Sequence, residues 1–274
     1  MIQCSDSSDR EPDHVTLSVI APCYNEEPNI ELLVHRTLAV FSALDIQAEL
    51  VLIDDGSVDR TWARVLARTE ADSRVRGLQH STNGGIEAAW HTGLTAARGR
   101  LICLIDADLQ NRPEDIPHLL RAYVHGPADV VQGVRHASSL VTRHRLFTRG
   151  LNRLLNGAFG TSLRDNKSGF ILCHRDVLRS VLEHRFYYKY FQSLLGVAVC
   201  AGGYTIEEVD TVFDARHAGS SFLSRFPILA SIRICWELVK FRFETCLMTK
   251  PAPRPQRPTW LRSDLLSTTL PAKP

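Results

Sequence analysis

Three oxygen-bearing side chains follow an apolar run in the stretch LICLIDADLQ. The run Leu101–Ile105 predicts a buried strand, and Asp106, Asp108 and Gln110 come at its end. In an extended chain, residues at positions i, i+2 and i+4 point to the same side. A cation such as Mg²⁺ is typically held by one or two carboxylates together with phosphate oxygens of a substrate. The spacing therefore predicts a partial cation site that a diphosphate completes.

An alternative is that these carboxylates only cap the helix that follows. That helix is predicted to begin at Pro113, a residue that suits the first helical turn. Glu114 and Asp115 already lie in this turn, where acidic side chains interact favourably with the helix dipole. The cation site is therefore the favoured interpretation.

Strand-like runs alternate with helical patterns through the first half of the chain. This alternation predicts an α/β fold with a mostly parallel sheet that helices cover on both faces. Ligands bind such sheets at the carboxyl ends of the strands, so PCYNEE, DDGS and DADLQ are expected to meet at one rim. The predicted strands are residues 15–21, 48–54, 75–80, 101–106 and 129–133.

Length and composition limit the class of protein. The 274 residues suffice for a full core, and 44% apolar with 23% charged residues indicates a globular chain. Seven cysteines form no CxxC pair, which favours reduced thiols and a cytoplasmic protein. The polar N-terminus lacks the apolar segment of a signal peptide. Residues 190–206 form an uncharged run that is too short and too interrupted by glycine to span a membrane.

Charge is divided unevenly along the chain. Residues 1–130 carry 11 Lys and Arg against 20 Asp and Glu, whereas residues 131–274 carry 21 against 10. A basic second half predicts an anionic partner there: phosphate, nucleic acid or a membrane surface. Between Asp129 and Asp165 the chain has arginines but no acidic residue. A solvated basic face is the other interpretation of this stretch.

Five blocks in order resemble the family 2 glycosyltransferases, in the branch similar to dolichol-phosphate mannose synthase and polyprenyl-phosphate glucosyltransferases. The resemblance covers about residues 15–222. It implies a GT-A fold, a GDP- or UDP-linked sugar donor, Mg²⁺ or Mn²⁺ as cofactor, and inversion at the anomeric carbon. The blocks are VIAPCYNEEPNI (19–30), VLIDDGSVDRT (51–61), STNGG (81–85), LIDADLQNRPEDI (104–116) and DNKSGF (165–170).

Carried over by position, the resemblance also implies site residues. The nucleoside pocket would use the loop after the first strand, and the DDGS carboxylates would hold the base and ribose. A loop of this kind offers backbone groups and an aromatic face to a base, although core packing is the alternative for its tyrosine. The implied donor-binding residues are Pro22, Tyr24, Glu26, Asp54, Asp55 and Gly85, and the implied metal ligands are Asp106, Asp108 and Gln110.

Cleavage of the bond between sugar and diphosphate leaves negative charge that a metal and facing arginines stabilise. The candidates are Arg135, just past the fifth strand, and Arg149 in the basic helix that follows. A late block, ARHAGSSFLS, matches the family pattern R-x-x-G-x-S-K at Arg216, Gly219 and Ser221, but Phe222 stands where lysine is usual. That departure removes one cation from the predicted phosphate site.

The acceptor decides whether a general base is needed. In the resembled branch it is a polyprenyl phosphate, whose anion attacks without one, whereas a hydroxyl acceptor requires one. Asp165, beside the SGF sequence, is either that base or an acceptor-binding group. We expect a metal-dependent transferase that moves a hexose-type sugar to a polyprenyl phosphate, with a soluble hydroxyl acceptor as the alternative. A nucleic-acid partner is not expected, because aromatics do not interleave with the basic residues.

The predicted organisation has four parts: a flexible N-terminus (1–14), the GT-A domain (15–222), an amphipathic helix (223–250) and a mobile tail rich in Pro and Arg (251–274). Trp236, Val239 and Phe243 belong to the apolar face of this helix, with Glu244 opposite. The helix either packs on the core through that face or lies on a membrane surface. The predicted location is cytoplasmic, with peripheral membrane contact and no transmembrane span.

Overall fold

A computed structural model of the chain describes residues 15–44, 46–135, 142–166, 168–184, 188, 191–214 and 236–245, with side chains omitted for residues 142–149 and 151. The predicted N-terminal arm (1–14) and tail (251–274) lie outside the described residues. Among the described helices, none is long and apolar enough to cross a membrane.

One sheet of seven strands organises the fold, in the order β3-β2-β1-β4-β6-β5-β7. All pairings are parallel except those of β6, which runs antiparallel between β4 and β5. The predicted mostly parallel α/β sheet is therefore confirmed. The strands are β1 (Leu17–Cys23), β2 (Ala48–Asp54), β3 (Val75–Gln79), β4 (Leu101–Leu104), β5 (Val130–Arg135), β6 (Ile171–His174) and β7 (Ile206–Thr211).

Helices cover both faces of this sheet. The first face packs against α1, α2 and α4, and the second against α3, α6, α7 and α8, each through its own cluster of buried apolar side chains. The helices are α1 (Glu27–Ala43), α2 (Thr61–Ala71), α3 (Ile86–Ala96), α4 (Ile116–His125), α5 (Thr142–Phe159), α6 (Arg175–Leu182), α7 (Leu195–Ala201) and α8 (236–245).

The central strands show why the chain folds this way. All seven residues of β2 are buried, and β1 is buried except for one partly exposed position. A parallel strand with helices on both faces needs a continuous apolar run, and both sequences supply one. The predicted limits of β2 match the structure, whereas β1 begins and ends two residues later than predicted.

The predicted extended conformation of DADLQ is wrong. Strand β4 ends at Leu104, and residues 107–110 form a turn in which Leu109 has a φ of 62°. Alternation along a strand therefore does not place Asp106, Asp108 and Gln110 on one side. A turn after the strand, rather than the strand itself, positions these groups.

Of the two alternatives for the C-terminal helix, packing on the core through Trp236, Val239 and Phe243 does not hold. Leu238 and Phe241 are the buried apolar residues of α8, while Trp236, Val239 and Phe243 are exposed. Phe241 packs against aromatic rings that include Phe159 and Tyr188. The remainder of the predicted helix, residues 223–235 and 246–250, lies outside the described residues.

Candidate active site

The carboxyl ends of three adjacent strands form one rim of the sheet. The register pairs Cys23 at the end of β1 with Asp54 at the end of β2, and Ile20 of β1 with Leu104 at the end of β4. Backbone hydrogen bonds continue past the strands, from Asp55 N to Cys23 O (2.8 Å) and from Ile105 N to Ile20 O (3.0 Å). The loops PCYNEE, DDGS and DADLQ therefore leave the sheet side by side, as predicted.

The first two of these loops interlock. Asn25 N donates to Ser57 Oγ (2.9 Å), and Asn25 Oδ1 accepts from Val58 N (2.9 Å). Asn25 has a φ of 55°, a conformation that asparagine tolerates better than most residues. Tyr24 is 40% exposed, so the alternative that its ring packs in the core does not hold. Its ring is available at the rim beside the partly exposed Pro22.

Asp55 fixes the loop that precedes α3. Its Oδ1 accepts from Gly84 N and its Oδ2 from Gly85 N, both at 2.8 Å, and His80 Nδ1 lies 2.7 Å from Oδ1. His80 Nε2 lies 2.8 Å from Thr92 Oγ1 on α3. Asp55 is nearly fully buried, so its carboxylate holds the STNGG turn against the DDGS loop.

Asp54 is likewise buried and bonded within the protein. Its Oδ1 accepts from Ser57 N (3.2 Å) and its Oδ2 from Gln79 Nε2 (3.0 Å). Gly56 follows with a φ of 70°, and a Cβ there would lie 2.5 Å from the Thr82 carbonyl carbon, so only glycine fits this turn. The structure thus shows both DDGS carboxylates shaping loops, and their contacts with base and ribose stay predictions.

The DADLQ turn places one carboxylate inside and one nearer the surface. Asp108 is buried, and its Oδ1 accepts from Gln110 N at 3.1 Å. Asp106 is partly exposed, and both of its oxygens lie 3.4 Å from Gln192 Nε2. A Cβ at Gly169 would lie 3.5 Å from Asp106 Oδ1, so the SGF sequence is adjacent to this carboxylate. Gln192 gave no signal in the sequence.

The donor set suits a hard divalent cation that shares its ligands with a substrate. No group of three or more His, Cys, Asp or Glu side chains in the described part of the chain could hold a metal unaided. Asp106 and Asp108 offer carboxylate oxygens from one turn, which fits a cation that takes one or two carboxylates and completes its shell with phosphate and water.

Arg135 and Asp165, both predicted as catalytic, lie together on the other side of the rim. Arg135 Nε is 3.8 Å from Asp165 Oδ2, and the guanidinium carbon lies 3.8 Å from the centre of the Phe213 ring. Glu208 on β7 fixes the turn before Asp165, because its carboxylate accepts from Arg164 N (2.8 Å) and Asp165 N (3.1 Å).

A ladder of asparagines attaches the basic helix α5 to the same turn. Asn156 Nδ2 donates to Leu163 O (2.8 Å), and Asn166 Nδ2 donates to Asn156 Oδ1 (3.1 Å). Asn152 Nδ2 bonds to Arg164 O, and Asn166 N donates to Asn152 Oδ1 (3.4 Å). This network was not predicted from the sequence. The spacing of Asn152 and Asn156, one helical turn, is the feature of the sequence that could have indicated it.

The segment after β7 lies against the DADLQ turn. Asp214 N donates to Gln110 O (2.9 Å), and Asn111 forms a backbone bridge with Phe213. Arg112 donates to both oxygens of Asp214 at 2.6 Å, and these bonds lower the pKa of Asp214. Arg216, two residues on, and the side chain of Arg149 lie outside the described residues.

Comparison with known proteins identifies relatives over most of the chain. The profile described as Glycosyl transferase family 2 matches residues 18–184. The undecaprenyl-phosphate 4-deoxy-4-formamido-L-arabinose transferase of Edwardsiella ictaluri is 30% identical over 237 residues, which is 86% of this chain and 69% of that protein. The protein of the same name from Shewanella sediminis is 36% identical over 169 residues, 61% of this chain and 50% of its own length.

Solved structures confirm the fold. Glucosyl-3-phosphoglycerate synthase from Mycobacterium tuberculosis, bound to Mn²⁺, UDP and glucosyl-3-phosphoglycerate, superposes with a TM-score of 0.59 at 21% identity. The similarity covers 83% of this chain and 80% of that chain. The same enzyme with Mn²⁺, UDP and phosphoglyceric acid gives a TM-score of 0.61 at 20% identity, with coverage of 86% and 80%. The chain therefore has the GT-A architecture that the resemblance implied.

Proposed function

Since the chain belongs to glycosyl transferase family 2 and is a nucleotide-sugar-dependent glycosyltransferase, we propose that it transfers a sugar to a polyprenyl phosphate with the help of Mg²⁺ or Mn²⁺. The observation that carries the proposal is the position of the Asp106–Asp108 turn. It lies between the interlocked loops after β1 and β2 and Gly169, in the segment that leads into β6. Donor and acceptor groups would thus meet at one cation site.

The donor nucleoside would lie over the loops after β1 and β2. The exposed ring of Tyr24 offers a stacking face, with Pro22 and Glu26 from the same loop beside it. Asp54 and Asp55 would act on the nucleoside mainly through the loops that they hold. Gly85, whose backbone is fixed by Asp55, would border the donor at the start of α3.

Asp106 and Asp108, with Gln110 as an auxiliary oxygen ligand, would hold the cation. Such a cation acts as a Lewis acid that stabilises negative charge on a diphosphate leaving group. The Asp108 carboxylate is pre-positioned by Gln110 N, and Asp106 is oriented by Gln192. Both ligands are therefore restrained before substrate binds.

Arginines would stabilise the phosphates on the other side of the cation. Arg135 is pre-positioned by Asp165 and by the face of Phe213. Arg216, which the resemblance implies as a donor-binding residue, would add a further cation for the same phosphates. Arg149 belongs to α5, which the asparagine ladder attaches to the Asp165 turn.

The acceptor assignment is supported by the names of the two relatives, which are undecaprenyl-phosphate transferases. A phosphate anion attacks without a general base, so Asp165 would serve here to position Arg135 rather than to remove a proton. The relatives are named for a modified arabinose, and the hexose expected from the sequence stays a prediction for this chain. Phe222, in place of lysine, is the observation that keeps a soluble hydroxyl acceptor as the second candidate.

Donor binding tests the site directly. We expect one sugar nucleotide from a UDP, GDP and dTDP panel to raise the thermal unfolding midpoint when Mg²⁺ or Mn²⁺ is present, because a ligand that binds only the folded state stabilises it. Asp108→Asn should abolish the metal-dependent part of this shift. Glu70→Gln, on the exposed side of α2, is the matched control and should behave as wild type. Equal shifts in wild type and Asp108→Asn would contradict the cation assignment.

A further inference from the structure

Helix α8 has two apolar faces, and the described part of the chain covers only one of them. Leu238 and Phe241 are 5% and 4% exposed and pack into the core. On the opposite side, Trp236, Val239 and Phe243 are 71%, 61% and 63% exposed. Their spacing of three and four residues places them in one line along the helix, which we call the apolar stripe.

The apolar stripe is fixed in place by the other side of α8. Tyr188 Oη donates to the buried Glu244 Oε2 at 2.5 Å. Arg242 Nε donates to Ala158 O at the end of α5 (3.0 Å), and the rings of Phe241 and Phe159 lie 5.7 Å apart. The helix therefore cannot roll to bury the stripe without breaking these contacts. Its exposure is built into the fold.

Cationic side chains flank the apolar stripe. At 100° per residue, Lys240 lies along one edge of the stripe and Arg242 along the other. Lys240 lies 4.8 Å from the centre of the Tyr188 ring, and Arg242 is exposed. Glu237 lies next to the buried face, on the Lys240 side. A central line of Trp, Val and Phe with cations at both edges matches an anionic, apolar-cored surface.

The neighbouring helix adds to this charge. Helix α5 contains four arginines and one histidine and no acidic residue. Within this helix, Arg153 and Leu154 are both exposed. A helix that lies in the headgroup region of a bilayer typically has large aromatic side chains exposed in a line beside basic residues.

We propose that the apolar stripe docks this protein on the surface of an anionic lipid bilayer, with Trp236 and Phe243 inserted and Lys240 and Arg242 at the level of the phosphates. The inference deepens the proposed function, because a polyprenyl-phosphate acceptor resides in such a bilayer. It assigns the contact to the outer face of α8. The sequence had offered the membrane and the core as alternatives for this face. The face with Leu238 and Phe241 packs on the core instead.

Vesicle binding by the full chain tests the proposal. Wild type should co-sediment with phosphatidylcholine vesicles that contain phosphatidylglycerol, and bind less to pure phosphatidylcholine and at high salt. Trp236→Ser/Phe243→Ser should weaken binding by at least about tenfold, because two large apolar side chains no longer insert. Its thermal unfolding midpoint should match wild type, since both side chains are exposed. Leu66→Ser, an exposed apolar residue of α2, is the control and should bind as wild type.

Fluorescence provides a second readout. The emission of Trp236 should shift to the blue when anionic vesicles are added, and Trp236→Phe should bind vesicles but lose most of that shift. Unchanged vesicle binding in the double variant would overturn the proposal. So would a wild-type dimer that the double variant dissociates, because the stripe would then be an interface between two copies.

The outcome can be separated from that of the proposed function by assaying a short-chain prenyl phosphate in detergent solution. The double variant should transfer sugar to this acceptor as wild type does, while losing transfer to vesicle-embedded polyprenyl phosphate. If wild type transfers sugar in detergent but binds no vesicles, the docking surface is wrong and the proposed function stands. If wild type binds vesicles through the stripe but glycosylates neither acceptor, the docking surface stands and the proposed function fails.

Discussion

Arg135 Nε lies 3.8 Å from Asp165 Oδ2, which joins the end of β5 to the turn before β6. The pair sits beside the Phe213 ring, on the segment that follows β7. Two residues that the sequence separates by a basic helix thus form one unit at the rim. In our account the carboxylate orients the guanidinium toward the phosphates of the reaction.

Because of this arrangement, substitution of Arg135 should lower activity more than substitution of Asp165. Arg135→Ala should lower kcat/KM by about 100-fold, the usual loss when one donor to a developing anion is removed. The kcat/KM of Arg135→Lys should lie between those of wild type and Arg135→Ala, because lysine keeps the charge but loses the planar contact with Phe213. Asp165→Asn should lose only about tenfold, as expected for a group that orients Arg135. Steady-state kinetics with the lipid acceptor would check this order, and a loss of about 1000-fold or more in Asp165→Asn would make Asp165 a general base.

Asp55 is expected to matter for stability as well as for the donor. Asp55→Ala leaves the partly buried N–H groups of Gly84 and Gly85 without their acceptor and should cost about 1–3 kcal/mol of unfolding free energy. Urea denaturation would measure the loss. Asp72→Ala removes a partly exposed carboxylate that pairs with Arg74, and should cost less than about 1 kcal/mol. Equal costs in the two variants would show that the Asp55 contacts are not structural.

The Arg112–Asp214 pair should affect activity more than stability. Both side chains are partly exposed, so Arg112→Met should cost less than about 1 kcal/mol of stability. It should nevertheless lower kcat/KM about tenfold, because Asp214 anchors the segment that leads to Arg216. The exchange Arg112→Asp/Asp214→Arg should recover part of the loss. Arg36→Met breaks the comparable pair with Glu114 and serves as control, and an equal loss of activity there would refute the positioning role.

Glu87, in the first turn of α3, should make stability depend on pH. Burial raises the pKa of Glu87 to about 7, so the folded state retains a proton that the unfolded chain releases near pH 4.5. The contribution of Glu87 is therefore fully present below about pH 4.5 and is lost as the pH rises through about 7. The titratable groups around it are His184, at 3.3 Å, and Glu237, Lys240 and Glu244 of α8.

Comparison with Glu87→Gln separates the contribution of Glu87 to the pH dependence of stability from the contributions of other titrating groups. Urea denaturation at about pH 5 and about pH 8 should show wild type losing stability relative to the variant at the higher pH. His174, whose pKa is lowered by burial, works in the opposite direction but is present in both proteins. A constant difference between the two proteins across this range would contradict the raised pKa of Glu87.

The sequence predicted the parts of the fold that depend on local pattern. The apolar runs of β1 and β2 are local, and the structure has β2 at its predicted limits and β1 shifted by two residues. The antiparallel insertion of β6 between β4 and β5 is a long-range pairing with no local signal. The end of β4 at Leu104 was missed because Ile105 and Ala107 are also buried and continue the apolar pattern into the turn.

Burial in α8 could not be assigned from periodicity alone. The helix has two apolar faces, and contacts with α5 and Tyr188 bury the face with Leu238 and Phe241. The sequence pointed to the motif residues at the rim but not to Gln192, Glu208 and Asp214. These three contact residues that lie 43 to 102 positions away along the chain, which no local spacing reveals.

The most direct test of the account is sugar transfer to a polyprenyl phosphate, with mass spectrometry of the lipid product. Wild type should form a polyprenyl phosphate sugar from one nucleotide donor, only with a divalent cation, and Asp108→Asn should form none. The matching polyprenol, which lacks the phosphate, should not be glycosylated. Product on a soluble hydroxyl acceptor and none on the polyprenyl phosphate would contradict the account.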